Sequence, residues 1–138
     1  MTNHDSEPLA QTFRWTFHRP AAPSSCALVL REVLAALAAT CQRASWHLIG
    51  HIKAYAPLPS GGFIRANTVS ARRAPDVELH EPVATALERI DVTLNVLIVG
   101  MPLAACRQYV RDALDAAATR HGFEYSSVTR PTKENADG

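Results

Sequence analysis

The stretch that most constrains the fold runs from residue 90 to residue 122. Aliphatic residues occupy every even position from Ile90 to Ile98, while the odd positions begin polar and become apolar only near the end. Successive side chains on a strand point to opposite faces, so this alternation predicts a strand with one buried face and one partly covered face. Such a stripe is buried by packing a second layer of structure against it.

An amphipathic helix is predicted directly after this strand. Pro102 suits the first turn of a helix, where its missing N–H is not needed and its φ angle is already helical. Arg120 and His121 lie where the helix dipole favours cations, and Gly122 is suited to the helix end. The apolar residues recur at steps of three and four, at Leu103, Cys106, Val110, Ala113, Leu114 and Ala117.

Size and composition predict one ordinary globular domain. The chain has 138 residues, of which 47% are hydrophobic and 20% are charged. A net charge of +1 does not suggest a polyanionic partner, so nucleic acid is not expected. We expect the single domain to span residues 11–129, between flexible tails at residues 1–10 and 130–138.

The cysteines and the amino terminus bear on location. Three cysteines without a signal sequence argue against a disulfide framework. The sequence shows no run of 18 apolar residues, so a membrane span and a membrane partner are not expected. A cytoplasmic location follows by elimination.

The remaining pattern completes the order of elements. A first strand has Phe13, Trp15 and Phe17 on its inner face, and Ser24 or Ser25 can cap the helix that follows. A connection as long as residues 70–88 is either functional or contains a small element that the pattern does not place. The predicted elements are strands at 12–18, 46–56, 63–69, 90–99 and 123–128, helices at 24–43 and 102–122, and a short helical turn from about Pro82 to Arg89.

The order β-α-β-β-β-α-β places both helices on the same side of one sheet. The predicted fold is therefore an α+β sandwich of two layers. It resembles the ferredoxin-like fold with one added strand, and a fold of this kind does not by itself fix a function.

Such a sandwich leaves the second sheet face free. The face is too polar for a core, yet its apolar residues are unfavourably exposed to water. This mixture favours a homo-oligomer that pairs these faces, most commonly as a C2 dimer, or a partner protein that covers them. The alternative is an ordinary solvated face. The predicted occupants are Arg14, Thr16, His18, His47, Ile49, His51, Lys53, Tyr55, Asp91, Thr93, Asn95, Leu97 and Val99. On this reading, Ile49→Asp leaves the monomer folded and disperses the oligomer.

The second functional hypothesis is a small-ligand or metal-binding domain, with an enzyme as one form of it. Its site lies around His18, His47, His51 and Asp91, or under the 70–88 connection. Four residues apart on a strand, His47 and His51 are about 13 Å from each other, too far for one zinc ion, although His18 or Asp91 on neighbouring strands could pair with either. No motif indicates a cofactor, a set of metal ligands or catalytic residues, so an enzyme is the less favoured expectation.

Anion binding has weaker sequence support. Arg65, Arg72 and Arg73 could bind phosphate or carboxylate through their forked guanidinium groups, or could be solvated loop charges. The segment 60–62, Ser-Gly-Gly, lacks the Lys-Ser/Thr of a phosphate-binding loop and reads as a turn. RNA recognition would need several aromatic residues on the free face, and Tyr55 is the one predicted there.

Overall fold

The computed structural model describes residues 8–44 and 48–128, which form a six-stranded sheet and two helices. There is one more strand than predicted, at Asp76–His80 within the long connection. The elements are β1 (Leu9–Ala21), α1 (Pro23–Arg43), β2 (Leu48–Pro57), β3 (Phe63–Thr68), β4 (Asp76–His80), β5 (Leu87–Val99), α2 (Leu103–His121) and β6 (Phe123–Ser127).

The strand order across the sheet is β4-β3-β2-β5-β1-β6, and every neighbouring pair is antiparallel. Because β1 and β2 both run antiparallel to β5 between them, they are parallel to each other, and α1 connects them across β5. In the same way α2 connects β5 to β6 across β1. The arrangement corresponds roughly to a ferredoxin-like sheet, with β3 and β4 added beyond β2.

Both helices cover the same face of the sheet, which makes the fold the predicted two-layer α+β sandwich. Helix α1 packs on β2, β3 and β4, α2 packs on β1 and β6, and the helices contact each other. The even-numbered residues from Ile90 to Ile98 are all buried, as the alternation predicts. At the other end of the core, the ring of Trp15 stacks on that of Phe123 with 4.3 Å between their centroids.

Helix α1 is long and apolar enough to cross a membrane by length and composition alone. Half of its most apolar window is buried inside the protein, including Leu30, Leu34 and Leu37 on the sheet side. The core helix of a water-soluble domain passes the same test, so the composition of α1 is accounted for by its packing on the sheet.

The structure corrects several predicted element ends. Strand β1 begins at Leu9, which is buried and pairs with Val96, so it includes the last residues of the predicted tail. Helix α1 begins at Pro23 with Ala22 at its N-cap and no side-chain cap, because proline already has the φ angle of a first helical turn. The predicted helical turn from Pro82 to Arg89 is wrong, since residues 81–86 are irregular and β5 starts at Leu87.

A bulge at Gly50 exchanges the two sides of the sheet on which the residues before it lie, relative to unbroken alternation along β2. Ile49 pairs with Ile98 and His51 pairs with Leu97, so β2 has one residue more than β5 here. Ile49 consequently packs against the core instead of lying on the free face, and the prediction for Ile49 is wrong. A Cβ atom at Gly50 would lie 2.9 Å from Cδ2 of Leu97, so a larger residue in the bulge would require the side chain of Leu97 to shift.

Candidate functional site

The candidate site is the sheet face that the helices leave uncovered, which we call the open face. The side chains that form it alternate with buried ones along β1 to β5, and the register places them in rows across the sheet. They are Thr12, Arg14, Thr16, Leu48, His51, Lys53, Tyr55, Phe63, Arg65, Asn67, Val69 (just after β3), Asp76, Glu78, His80, Asp91, Thr93, Asn95, Leu97 and Val99.

The predicted histidine site does not form around the described residues His18, His51 and Asp91. His51 pairs with Leu97, while His18 lies beyond Thr16, the partner of Arg89. At about 3.3 Å per residue, the two histidines are at least about 25 Å apart along the strands. His47 lies outside the described residues. Within the described ranges, no three His, Cys, Asp or Glu side chains are grouped so that they could hold a metal ion.

Each of these side chains instead has a local partner. Nε2 of His18 lies 3.7 Å from Oε2 of Glu124, and the backbone N–H of His18 donates to the carbonyl of Gly122. Arg14 donates two hydrogen bonds to Asp91, at 2.8 and 3.1 Å, and this contact raises the pKa of the Arg14 guanidinium. The pair joins β1 to β5 by the bidentate geometry that arginine favours.

A second charge pair lies near the other edge of the open face. Nη2 of Arg65 donates to Oε1 of Glu78 at 2.6 Å, and His80 contacts the other carboxylate oxygen at 2.8 Å. The hydrogen bond from Arg65 is the largest cause that lowers the pKa of Glu78, and the hydrogen bond with His80 is the next. The guanidinium of Arg65 also lies 5.1 Å from the ring centroid of Phe63, which in turn packs 5.8 Å from Tyr55. Arg65 therefore links Glu78 on β4 to Phe63 on its own strand, β3.

Between the two charge pairs lies a depression of about 330 Å³. Lys53 is at its centre, in register with Asn67 on β3 and Asn95 on β5. In the next row, Tyr55 is in register with Arg65 and Thr93. Sequence reasoning selected Lys53, Tyr55, Asn95 and Arg65 separately, and the register brings them together.

His51 fixes the orientation of Asn95 in this depression. Nε2 of His51 lies 2.7 Å from Oδ1 of Asn95, and an amide oxygen can only accept, so the imidazole must donate. The amide N–H groups of Asn95 are then left as donors. Sequence reasoning missed Asn67, although its alternation with Ala66 and Thr68 along β3 was a usable signal.

An apolar cluster occupies one end of the open face. Leu48 and Val99 are register partners and are 59% and 39% exposed, while Val69, just after β3, is 63% exposed. Leu48 and Val69 also line a depression of about 410 Å³ together with Ile49 and with Gln42 of α1, so this depression lies at the end of the sheet beside the helix layer. Unbroken alternation along β2 predicts that Leu48 lies on the buried side of the sheet. The bulge at Gly50 instead places Leu48 on the open face, in register with Val99.

The other two arginines that were considered for anion binding do not join Arg65. Arg72 is exposed in the connection between β3 and β4, where its backbone N–H donates to Oγ of Ser70, and it lines the depression beside Leu48 and Val69. Arg73 is exposed beside it. Arg65 lines the central depression, so the three side chains do not form the cluster that was considered.

The three cysteines lie in the core. Cys26, Cys41 and Cys106 are buried and free, and burial raises the pKa of each thiol to about 11. Thiols of this kind stay protonated near neutral pH and are poor nucleophiles. They serve as small packing residues on α1 and α2.

Comparisons of the chain with family models, with curated proteins and with solved structures found no match. The geometry of the open face therefore carries the functional argument.

Proposed function

We propose that the protein is a small self-assembling module in which the open face of one copy binds the open face of another. The observation that carries this proposal is the exposure of Leu48, Val69 and Val99 together at one end of the face. Aliphatic side chains clustered on a surface mark sites of association, whereas isolated ones need no explanation.

The area of the open face suits a stable pair. At about 3.3 Å per residue and about 4.8 Å between strands, six strands of these lengths cover roughly 800 Å². A specific interface of standard size buries about 800 Å² on each partner. A second copy of the chain brings a surface of matching size.

The charges of the face are compatible with self-association. Arg14 is paired with Asp91, and Arg65 is paired with Glu78. Pairing within the face reduces the repulsion between two copies compared with a face of one sign, although Lys53, which has no salt bridge among the described residues, still adds repulsion.

The position of the apolar cluster selects one symmetry. A twofold axis parallel to the strands, between β2 and β5, brings the apolar end of one copy onto the apolar end of the other. Leu48 of one protomer then lies against Val99 of its partner. A twofold axis in the plane of the face but perpendicular to the strands would place the apolar cluster against the charged end that contains Arg14 and Asp91.

The test is solution mass by light scattering over a dilution series. We expect twice the chain mass of 15.0 kDa for the wild type, and the monomer mass for Leu48→Asp at the same concentration. Leu28→Asp is the matched control, because Leu28 is 62% exposed but lies on α1, on the other side of the sheet. A monomeric wild type, or equal masses for the two variants, would contradict the proposal.

A further inference from the structure

Lys53 places a charge without a counter-ion at the centre of the open face. Among residues 8–44 and 48–128, no carboxylate lies within 4 Å of its ammonium group, whereas the neighbouring arginines are paired. Its register neighbours are Asn67 and Asn95, which are neutral. The acidic residue in the same row is Asp76, two strands away and so about 10 Å from Lys53.

The depression around Lys53 is rich in hydrogen-bond donors. Its floor contains Ala54 and Ala66, whose small side chains point into the core. None of the residues that line it is acidic. The polar ones are Lys53, Tyr55, Arg65, Asn67, Thr93 and Asn95. His51 occupies the side-chain oxygen of Asn95, so the amide N–H groups of Asn95 are free to donate into the depression. The ammonium of Lys53 supplies further donors there.

We propose that this depression binds a small oxyanion, either a phosphate or a carboxylate, and that two copies of it close on each other in the dimer. The dimer itself rests on the proposed function. With the twofold axis between β2 and β5, Lys53 of each protomer points into a gap of about 10 Å between the two sheets. Two like charges brought together as water is excluded repel each other, and a bound oxyanion offsets that repulsion.

The proposal predicts that oxyanions tighten the dimer through Lys53. At constant ionic strength, part of the chloride is replaced by inorganic phosphate or by malonate, and the dimer dissociation constant is measured by sedimentation. We expect it to fall about fivefold for the wild type in one of these solutions, the scale of one partly screened ion pair. The difference between the phosphate and malonate results identifies which oxyanion the site prefers.

Lys53→Met supplies a prediction of opposite sign. Because it removes the repulsion, its dimer should be tighter than the wild type in chloride and should not respond to either oxyanion. Arg31→Met is the matched control, since it removes one positive charge from the exposed side of α1, and it should keep the wild-type response.

The outcomes separate the two proposals. A wild-type dimer with the same dissociation constant in all three solutions contradicts the oxyanion site and leaves self-assembly standing. A chain that is monomeric in all three contradicts self-assembly. In that monomer, the NMR chemical shifts of the amides of residues 53 and 95 should change when phosphate is added, and should not change in Lys53→Met. Wild-type amide shifts that phosphate does not change would contradict the site.

Discussion

Tyr125 shows how one side chain ties the last strand to the second helix. Its phenol donates a hydrogen bond of 2.5 Å to Oδ1 of Asp115, and it also lies 3.3 Å from the carbonyl of Arg111. Burial, followed by the hydrogen bond to Asp115, raises the pKa of Tyr125 well above its ordinary value of about 10. The folded protein therefore holds this phenol in its neutral form.

This shift predicts a loss of stability in alkali that Tyr125→Phe removes. Above pH 10 the unfolded chain releases the phenolic proton before the folded chain does, so the free energy of unfolding falls as pH rises. At pH 8, Tyr125→Phe should cost about 1 kcal/mol for the lost hydrogen bond. The measurement is urea unfolding of both proteins at pH 8 and pH 11.

The wild-type advantage over Tyr125→Phe should shrink between those two pH values. The three buried cysteines, whose raised pKa also weakens the fold in alkali, are common to both proteins and cancel in the difference. A difference that is constant with pH would show that the phenol does not titrate differently in the folded and unfolded chains.

At the scale of elements, periodicity predicted both helices and five of the six strands of the described chain. The missed strand, β4, has only five residues, and the alternation of Val77 and Leu79 with polar neighbours was too short to stand out. The bulge at Gly50 could not be seen in the pattern. It depends on the pairing of β2 with β5, which is separated from it by many residues of sequence.

The bulge can be tested with adjacent substitutions. Ile49→Asp should lower the free energy of unfolding by about 2 kcal/mol or more, because it brings a carboxylate against the core. Leu48→Asp should change the stability of the monomer by less than about 0.5 kcal/mol, since Leu48 is exposed.

Urea unfolding at concentrations low enough to give monomers measures both variants. Leu94→Asp serves as the reference for a fully buried position, as Leu94 is 1% exposed. If Leu48→Asp were the more damaging of the adjacent pair, unbroken alternation would be right and the bulge would be wrong.

At the scale of the whole molecule, the layers leave the two sides of the sheet chemically different. One side is closed by α1 and α2, and the other carries rows of polar side chains that end in an apolar cluster. The proposed twofold axis follows from this asymmetry along the strands. It makes a geometric prediction about which residues of two copies meet.

Cysteine cross-linking tests that geometry. Chains carrying Leu48→Cys, mixed with chains carrying Val99→Cys, should be joined by a bis-maleimide that spans about 10 Å, the separation of two facing sheets, and the product should have a doubled mass on a denaturing gel. Leu28→Cys mixed with Arg31→Cys is the control and should stay unlinked, because both residues lie on the exposed side of α1, away from the open face. The native thiols are buried and should not compete. Equal cross-linking in both mixtures would contradict the proposed axis.

The sequence by itself determined both helices, five of the six strands of the described chain and the buried stripe from Ile90 to Ile98, because alternation and helical spacing are local properties of the chain. It also placed Lys53, Tyr55 and Asn95 on the free face. Only the tertiary structure decided that β5 lies between β1 and β2, that Gly50 forms a bulge, and that Lys53 has an asparagine on either side. These features depend on the register between strands that are distant in sequence, and register is set by how the whole sheet packs against its helices.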